Sequence, residues 1–250
     1  MIQFPAPTDV VRERSGASRP SVSVAVTLYN YGRFITECLD SLLNQTLKEL
    51  EIIVLDDMST DDGLSRVLAW LEANEPKLFA YQILRHRENM GLPVARNTAF
   101  AHAKADLVFA MDADNTIYPR AIARCRDAIE ASGADGAYTQ LEFYGARRGI
   151  GMADFWNRDR FEIQNYVDAM ALLRKSAWEK VGGYTQLSVS GWEDYDFWCK
   201  FIEHDLRCTF VPEVLCCYRV HENSMSATQT IPKTDALVVD MSIRHPWLKL

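Results

Sequence analysis

Residues 107–114, which read LVFAMDAD, decide the fold class of this 250-residue chain. The apolar run 107–111 predicts a buried strand, and the carboxylates of Asp112 and Asp114 follow where that run stops. Alternate residues of a strand share a face, so both carboxylates are expected to point into one site. Two neighbouring carboxylates resist joint ionisation unless a cation or hydrogen-bond donors offset them. A hard divalent cation completed by phosphate oxygens would do so, and a polar turn is the alternative.

Predicted strands and helices alternate on both sides of this stretch. Apolar runs predict strands at 22–28, 51–55 and 79–84, and helical spacing predicts helices at 33–44, 63–73, 92–103 and 119–131. Such alternation implies a doubly wound, mostly parallel α/β sheet. Ligands of such sheets bind outside the carboxyl ends of the strands. Asp56 and Asp57 lie at one predicted end, and Asp112 and Asp114 lie at another.

The remaining segments are less regular. Strands are predicted at 136–143, 167–173 and 207–220, helices at 175–181 and 192–203, and a loop at 144–160. Residues 1–20 are rich in Pro, Ser, Arg and Gly without periodicity, so they are expected to form a flexible N-terminal arm. Residues 227–250 are expected to be a C-terminal tail or a connector to a further domain.

Composition excludes several classes of protein. The net charge of −7 argues against a nucleic-acid binder, which would carry a basic face. No apolar run approaches the roughly 20 residues of a membrane span, and residues 1–20 lack a signal-peptide apolar segment. The six cysteines form no C-x-x-C pair, so structural zinc is not expected. Reduced thiols and a cytoplasmic location are expected instead.

Six segments, taken in order, resemble the motifs of the family-2 glycosyltransferases. They are TLYN at 27–30 with SLLNQT at 41–46, VLDDMSTD at 54–61, NMGLPVARN at 89–97, DAD at 112–114, GWEDYD at 191–196 and YRVH at 218–221. The resemblance implies a GT-A fold over residues 21–226, with a nucleotide-binding N-terminal half and a smaller acceptor-binding C-terminal part. Met58 stands where the family more often has Gly, and Asn115 where a third acid is common.

The resemblance also implies a nucleotide-sugar donor, most often a UDP-sugar, and a divalent metal, Mn²⁺ or Mg²⁺. Asp56 or Asp57 would accept a hydrogen bond from the base, although either could instead form the turn or cap the next helix. The donor-binding residues implied are Thr27, Tyr29, Asp56, Asp57, Arg96 and Asp112. The metal ligands implied are Asp114, Asp112 and His221, with a surface or structural histidine as the alternative for His221.

On the acceptor side, the resemblance assigns Asp194 as the general base of an inverting transfer. A carboxylate near the acceptor hydroxyl would take its proton during attack. Trp192 and Glu193 would bind the acceptor. The alternative is an ordinary helix start, where acidic residues are favoured in the first turn.

The resemblance thus implies transfer of a sugar to an acceptor hydroxyl, in glycan or surface-polysaccharide synthesis, with a glycan or lipid-linked acceptor. A non-catalytic sugar-nucleotide-binding module remains an alternative. A nucleotidyltransferase is another, but residues 27–32 lack its Gly-rich phosphate loop. The basic residues Arg12, Arg14 and Arg19 leave open a peripheral contact with the inner face of the membrane. The chain could also be one domain of a larger enzyme.

Overall fold

The computed structural model describes residues 5–250, which form one mixed sheet covered by helices on both faces. Within these residues the strands are β1 (Thr8–Arg14), β2 (Val22–Leu28), β3 (Leu50–Asp56), β4 (Ala80–His86), β5 (Leu107–Asp112), β6 (Thr116–Ile117), β7 (Gly136–Gly145), β8 (Gly149–Ile150), β9 (Ala171–Arg174) and β10 (Cys208–Val220). The α-helices are α1 (Gly32–Leu43), α2 (Gly63–Asn74), α3 (Leu92–His102), α4 (Ala121–Ser132), α5 (Arg158–Phe161), α6 (Lys175–Lys180), α7 (Glu193–Glu203) and α8 (Thr234–Arg244).

The strand order is β1-β4-β3-β2-β5-β9-β7-β10-β6, with β8 paired to β7. The strands β4, β3, β2 and β5 are parallel, whereas β9 runs antiparallel to both β5 and β7. The register pairs Thr27 with Asp112 and Leu28 with Asp56. The carboxyl ends of β2, β3 and β5 therefore meet at one edge of the sheet, and the predicted doubly wound α/β architecture is confirmed.

Both faces of the central strands are buried, so every residue of β2 and β3 is buried, as expected for parallel strands covered by helices on both sides. Val24 and Val26 contribute to a core beneath α1, α2 and α4. Ala25, between them, belongs to a second core beneath α3, α6 and α7. Helices therefore cover both faces of the sheet, and the carboxyl edge of the strands is left exposed.

The expectation of a flexible arm over residues 1–20 is wrong for Thr8–Arg14, which form β1 antiparallel to β4. The edge of β4 offers unpaired backbone groups, and a segment can pair with them without apolar periodicity. Arg12 pairs with Glu75 at 2.6 Å, Arg14 donates to the carbonyl of Leu78, and Arg19 pairs with Asp106 at 2.6 Å. The part of the arm at residues 1–4 lies outside the described residues.

Residues 227–250 pack on the rest of the fold. Helix α8 buries Leu237 and Met241, and Arg244 and His245 both contact the carboxylate of Asp196 on α7. The tail expected here is therefore a docked helix. Across residues 5–250, no helix is long and apolar enough to cross a membrane.

The other differences in the C-terminal part are local. The loop predicted at 144–160 contains β8, which pairs with β7, and the start of α5. The strand predicted at 167–173 begins only at Ala171. The segment 207–220 forms one strand, β10, whose register shifts around Val214.

Candidate active site

A cavity of about 850 Å³ lies against the carboxyl ends of β2, β3 and β5 and the N-terminus of α7. It brings together nine of the side chains predicted from the sequence: Thr27, Tyr29, Asp57, Arg96, Asp112, Asp114, Trp192, Glu193 and Asp194. Asp56 is not among the lining residues, and His221 reaches the site through Asp114. The sheet edge and α7 thus form two sides of one site.

Arg96 joins these two sides. Its Nη2 donates to Asp112 Oδ1 and its Nη1 donates to Glu193 Oε1, each at 2.8 Å, while Thr27 Oγ1 donates to Asp112 Oδ1 at 3.2 Å. Burial opposes the charge on Arg96, but Asp112 and Glu193 outweigh it and raise the pKa of the guanidinium well above its usual value. Arg96 was predicted to bind the donor, and a donor phosphate would have to compete with two carboxylates for it.

Asp114 and His221 form a second pair, with Asp114 Oδ2 3.0 Å from His221 Nε2. Burial, followed by the neighbouring Asp112, raises the pKa of Asp114 although His221 opposes the shift. Adjacent ligands on an octahedral cation with bonds of about 2.1 Å lie about 3 Å apart, so this pair fits two positions of a hard divalent cation.

The third predicted metal ligand, Asp112, is bound to Arg96 rather than to this pair. Asp112 faces Arg96, and within residues 5–250 no group of three His, Cys, Asp or Glu side chains is arranged to hold a metal. The donor atoms of Asp114 and His221 suit Mn²⁺ or Mg²⁺, and Asp112 would have to turn from Arg96 to join them.

The carboxylate of Asp57 is an acceptor for the segment that leads into α3. Its Oδ1 accepts from the N–H of Met90 at 2.9 Å and lies 2.6 Å from His86 Nδ1. Its Oδ2 accepts from the N–H of Gly91 at 2.8 Å and from Asn89 Nδ2 at 3.1 Å. Both oxygens of Asp57 are therefore occupied on both lone pairs, although the residue lines the cavity.

The structure corrects the prediction that Asp56 binds the donor base. Asp56 is fully buried; its Oδ1 accepts from the N–H of Ser59 and its Oδ2 lies 3.0 Å from Arg85 Nε. Successive side chains at a strand end point to opposite faces, so Asp56 and Asp57 cannot both face the cavity. The sequence could not say which of the two would.

The two departures from the family motifs are accommodated locally. Met58 keeps a left-handed backbone with φ of +61°, a conformation that Gly adopts at lower cost. Asn115 is buried, and its Oδ1 accepts from the N–H of Arg219 at 2.9 Å. Asn115 therefore lines the cavity with its side chain already bonded to β10, whereas Met58 lies outside the cavity lining.

Asp194 lies in the first turn of α7. Gly191 precedes that helix with φ of +124°, and a Cβ there would lie 2.5 Å from Thr230 Cγ2, so the turn requires glycine. Asp194 Oδ1 accepts from the N–H of Tyr195 at 2.8 Å, and its Oδ2 accepts from Asn165 Nδ2 at 3.0 Å. Burial, then Glu193 and Asp168, raises the pKa of Asp194, which favours a carboxylate that can accept a proton near neutral pH.

Sequence reasoning missed residues contributed by two segments, the 162–170 loop and the stretch 223–230. Asn165 and Asp168 of the loop line the cavity, and burial raises the pKa of Asp168 to about 6. The sequence did not single out Asp168 because residues 167–173 were predicted to be a strand, whereas the strand begins at Ala171. The stretch 223–230, of which all residues except Ala227 line the cavity, was given no secondary structure from the sequence.

Comparison with protein families decides the assignment. The family model described as Glycosyl transferase family 2 matches residues 23–182, which is more than half of the chain. The protein belongs to glycosyl transferase family 2. Its mixed α/β architecture is the GT-A fold.

Relatives of this family-2 chain include the chondroitin synthase of Escherichia coli, which is 29% identical over 190 residues, or 74% of this chain. Residues 1–349 of TarS from S. aureus, solved in complex with UDP-GlcNAc, superpose with a TM-score of 0.73 and 21% identity over 92% of this chain. The mannosyltransferase PcManGT from Pyrobaculum calidifontis, solved with GDP-Man and Mn²⁺, gives a TM-score of 0.63 and 24% identity over 88% of it.

The chain is shorter than these proteins. It spans 27% of the length of the chondroitin synthase, 68% of the TarS chain and 62% of the PcManGT chain. The similarity to the two solved structures therefore establishes the fold that they share with this family-2 chain.

Proposed function

We propose that the protein is an inverting glycosyltransferase that moves a sugar from a nucleotide-diphosphate donor, a UDP-sugar, to an acceptor hydroxyl. One observation carries the proposal: a single cavity is lined both by Asp112 and Asp114 at the sheet edge and by Asp194 on α7. Inverting transfer needs a charge-stabilising site for the leaving diphosphate and a separate base on the acceptor side.

The donor side would lie along β2, β3 and β5. TarS was solved with UDP-GlcNAc and PcManGT with GDP-Man, which supports a nucleotide-sugar in the same cavity. Thr27 and Tyr29 would border the base, and the side chain of Tyr29 is free to cover it because it is 45% exposed. For Asp57 to accept a hydrogen bond from the base, one of its present donors would have to leave.

Asp114 and His221 would hold a divalent cation, with Asp112 as a further ligand. When bound, such a cation neutralises the charge that develops on the leaving diphosphate. The Mn²⁺ in PcManGT supports this expectation.

On the acceptor side, Asp194 would take the proton of the attacking hydroxyl. The hydroxyl oxygen forms a bond to the anomeric carbon while the bond from that carbon to the diphosphate oxygen breaks, so the configuration inverts. Trp192 and Glu193, which line the cavity beside Asp194, would orient the acceptor. The raised pKa of Asp194 makes it a stronger base than an exposed carboxylate once it is ionised.

The acceptor would be a glycan or a lipid-linked sugar of a surface polysaccharide, in keeping with the similarity to a chondroitin synthase. We also propose a cytoplasmic location, which the six free thiols support. Residues 21–226 would form the catalytic domain together with β1 and the C-terminal segment that pack on them, alone or within a longer multidomain chain.

Calorimetry tests the donor assignment. UDP, GDP, dTDP and CDP are each titrated into the protein with Mn²⁺, Mg²⁺ or EDTA, and donor turnover is followed with the sugars of the nucleotide that binds. Selective binding of UDP that needs a cation is expected. Absence of binding by every nucleotide would contradict the proposal, and tight binding of another nucleotide would replace UDP as the donor.

The variant Asp114→Ala tests the metal assignment. It should weaken metal-dependent UDP binding at least about tenfold, since it removes one of two adjacent ligand positions. The control is Glu142→Ala, because Glu142 accepts from Tyr118 and lies outside the cavity lining. An unchanged affinity of the Asp114→Ala variant with and without metal would reject the role.

A further inference from the structure

We infer that Asn165 is a positioning residue for Asp194, holding the carboxylate in one orientation and in the charged form that accepts the acceptor proton. The inference rests on the proposed function for the role of Asp194. Neither the family motifs nor the resemblance assigns any part to Asn165, which lies on the 162–170 loop.

The hydrogen bonds of Asn165 fix which way its amide points. Its Oδ1 accepts from the N–H of Val167 at 3.2 Å, so its Nδ2 is the group that faces Asp194 Oδ2 at 3.0 Å. The other oxygen of Asp194 accepts from the N–H of Tyr195. Asn165 therefore supplies the side-chain donor of Asp194, and the helix backbone supplies the other donor.

The loop that carries Asn165 is fastened to the helix that carries Asp194. Trp198 Nε1 donates to the carbonyl of Val167 at 2.9 Å, and the hydroxyl of Tyr195 donates to the carbonyl of Phe161. Trp198 and Tyr195 are both fully packed in the core beneath α7. The 162–170 loop and α7 therefore form one rigid unit that carries both partners of the Asn165–Asp194 hydrogen bond, as a positioning role requires.

The charges around Asp194 give the hydrogen bond a second effect. The acids Glu193 on α7 and Asp168 on the loop disfavour the charged form of Asp194, whereas Arg96 on α3 favours it. The uncharged hydroxyls of Tyr184 and of Tyr218, which lies on β10, are also near Asp194. A donor to the carboxylate favours its ionised form. Asn165 therefore opposes burial and the two acids, and its loss would raise the pKa of Asp194.

Asn165 could instead only form the turn through its Oδ1, and one substitution separates the two roles. Asn165→Asp keeps an oxygen that can accept from Val167 but replaces the donor facing Asp194 with a second oxygen. A turn-forming role predicts a nearly normal kcat once the pH is high enough to ionise Asp194, because the new carboxylate then acts through its charge alone. The positioning role predicts a kcat that stays low at that pH, because Asp194 has lost the donor that orients it.

The kinetic test compares the wild-type chain, Asn165→Asp and the control Gln164→Ala, whose exposed side chain lies outside the cavity lining. With saturating donor and acceptor, kcat of Asn165→Asp should fall about 10- to 100-fold while the affinity for UDP stays within about twofold. The acid limb of its kcat–pH profile should move up by about one pH unit, because the base must be ionised to act. An unshifted limb with normal kcat would overturn the inference.

A titration independent of activity separates this inference from the proposed function. Carboxyl ¹³C chemical shifts of labelled aspartates follow the pKa of Asp194, whose signal is identified by its absence in Asp194→Asn. The pKa should be higher in Asn165→Asp than in wild type and unchanged in Gln164→Ala. An equal pKa in all three overturns the inference whatever the enzyme does. A shifted pKa in a protein that turns over no donor leaves the Asn165–Asp194 coupling standing but overturns its catalytic role along with the proposed function.

Discussion

Asp57 and Asp194 line the same cavity, but their carboxylates have opposite surroundings. The two oxygens of Asp57 have four partners, three N–H groups and a histidine ring nitrogen. Within residues 5–250, the two oxygens of Asp194 have two hydrogen-bond partners, and the acids Glu193 and Asp168 lie nearby. The count of donors, rather than the residue type, separates a carboxylate that holds a loop from one that is free to take a proton.

The difference follows from the local backbone. Asp57 meets the segment 89–91, whose successive N–H groups converge on it before α3 begins. Asp194 sits in the first turn of α7, where the backbone offers it one N–H and the adjacent side chain is another acid. The part of the cavity at the end of β3 is therefore rigid, whereas the part at the start of α7 holds the more reactive carboxylate.

The substitution Asp194→Asn tests this contrast most strongly. It should lower kcat by about 10²- to 10⁴-fold, since the proton acceptor is lost, while UDP affinity stays nearly unchanged. The free energy of unfolding at neutral pH should not fall, because the burial that raises the pKa of Asp194 disfavours its charged form in the folded protein. Steady-state kinetics, calorimetry and urea denaturation measure the three quantities. Normal turnover would mean that Asp194 is not the base.

The substitution Asp57→Ala should act on stability instead. It leaves the N–H groups of Met90 and Gly91 and the ring of His86 without their acceptor, at about 1–3 kcal/mol for each buried donor. We expect the free energy of unfolding to fall by at least about 3 kcal/mol in urea denaturation. The control Asp106→Ala removes an exposed ion pair with Arg19 and should cost less than about 1 kcal/mol. Equal losses in the two variants would remove the distinction between the two sides.

The substitution Asp168→Asn should give the smallest and most pH-dependent change. Because burial raises the pKa of Asp168 to about 6, the folded protein keeps a proton that the unfolded chain releases near pH 4. The stability that this proton contributes is present below pH 4 and is lost as the pH rises through 6. The new Asn side chain can still accept from the N–H of Met170, so the turn of the loop should be kept.

Urea denaturation of Asp168→Asn at two pH values checks this sign. At pH 7.5 the variant should be more stable than wild type by about 1–2 kcal/mol, and at pH 4 the two should be equal. A variant that is less stable at pH 7.5 would show that the charge of Asp168 has a stabilising partner.

Much of the fold was predictable because its signals are local. The apolar runs of β2, β3 and β5 are buried on both faces, and the helices between them have periodic apolar positions. The strand β1 was missed because its residues alternate weakly and its pairing depends on the free edge of β4. An edge strand is decided by its neighbour rather than by its own composition.

The candidate site divides in the same way. Strand alternation placed Asp112 and Asp114 in one site, the family resemblance added Asp194, and all three line the cavity. Spacing could not reveal that Arg96 bridges Asp112 and Glu193, because those partners are 16 and 97 residues away. It also missed Asn165, which meets Asp194 only because Trp198 fastens the 162–170 loop to α7.

The sequence by itself determined the alternation of strands and helices, the family and the carboxylates that gather at the sheet edge, since each depends on residue type and short-range spacing. The tertiary structure decided what each carboxylate can do. Asp56 is buried against Arg85, Asp57 is occupied by backbone donors, and Asp194 keeps a single side-chain donor. Hydrogen-bond partners and burial come from segments far apart in the chain, and they set the charge and the reactivity of an acid.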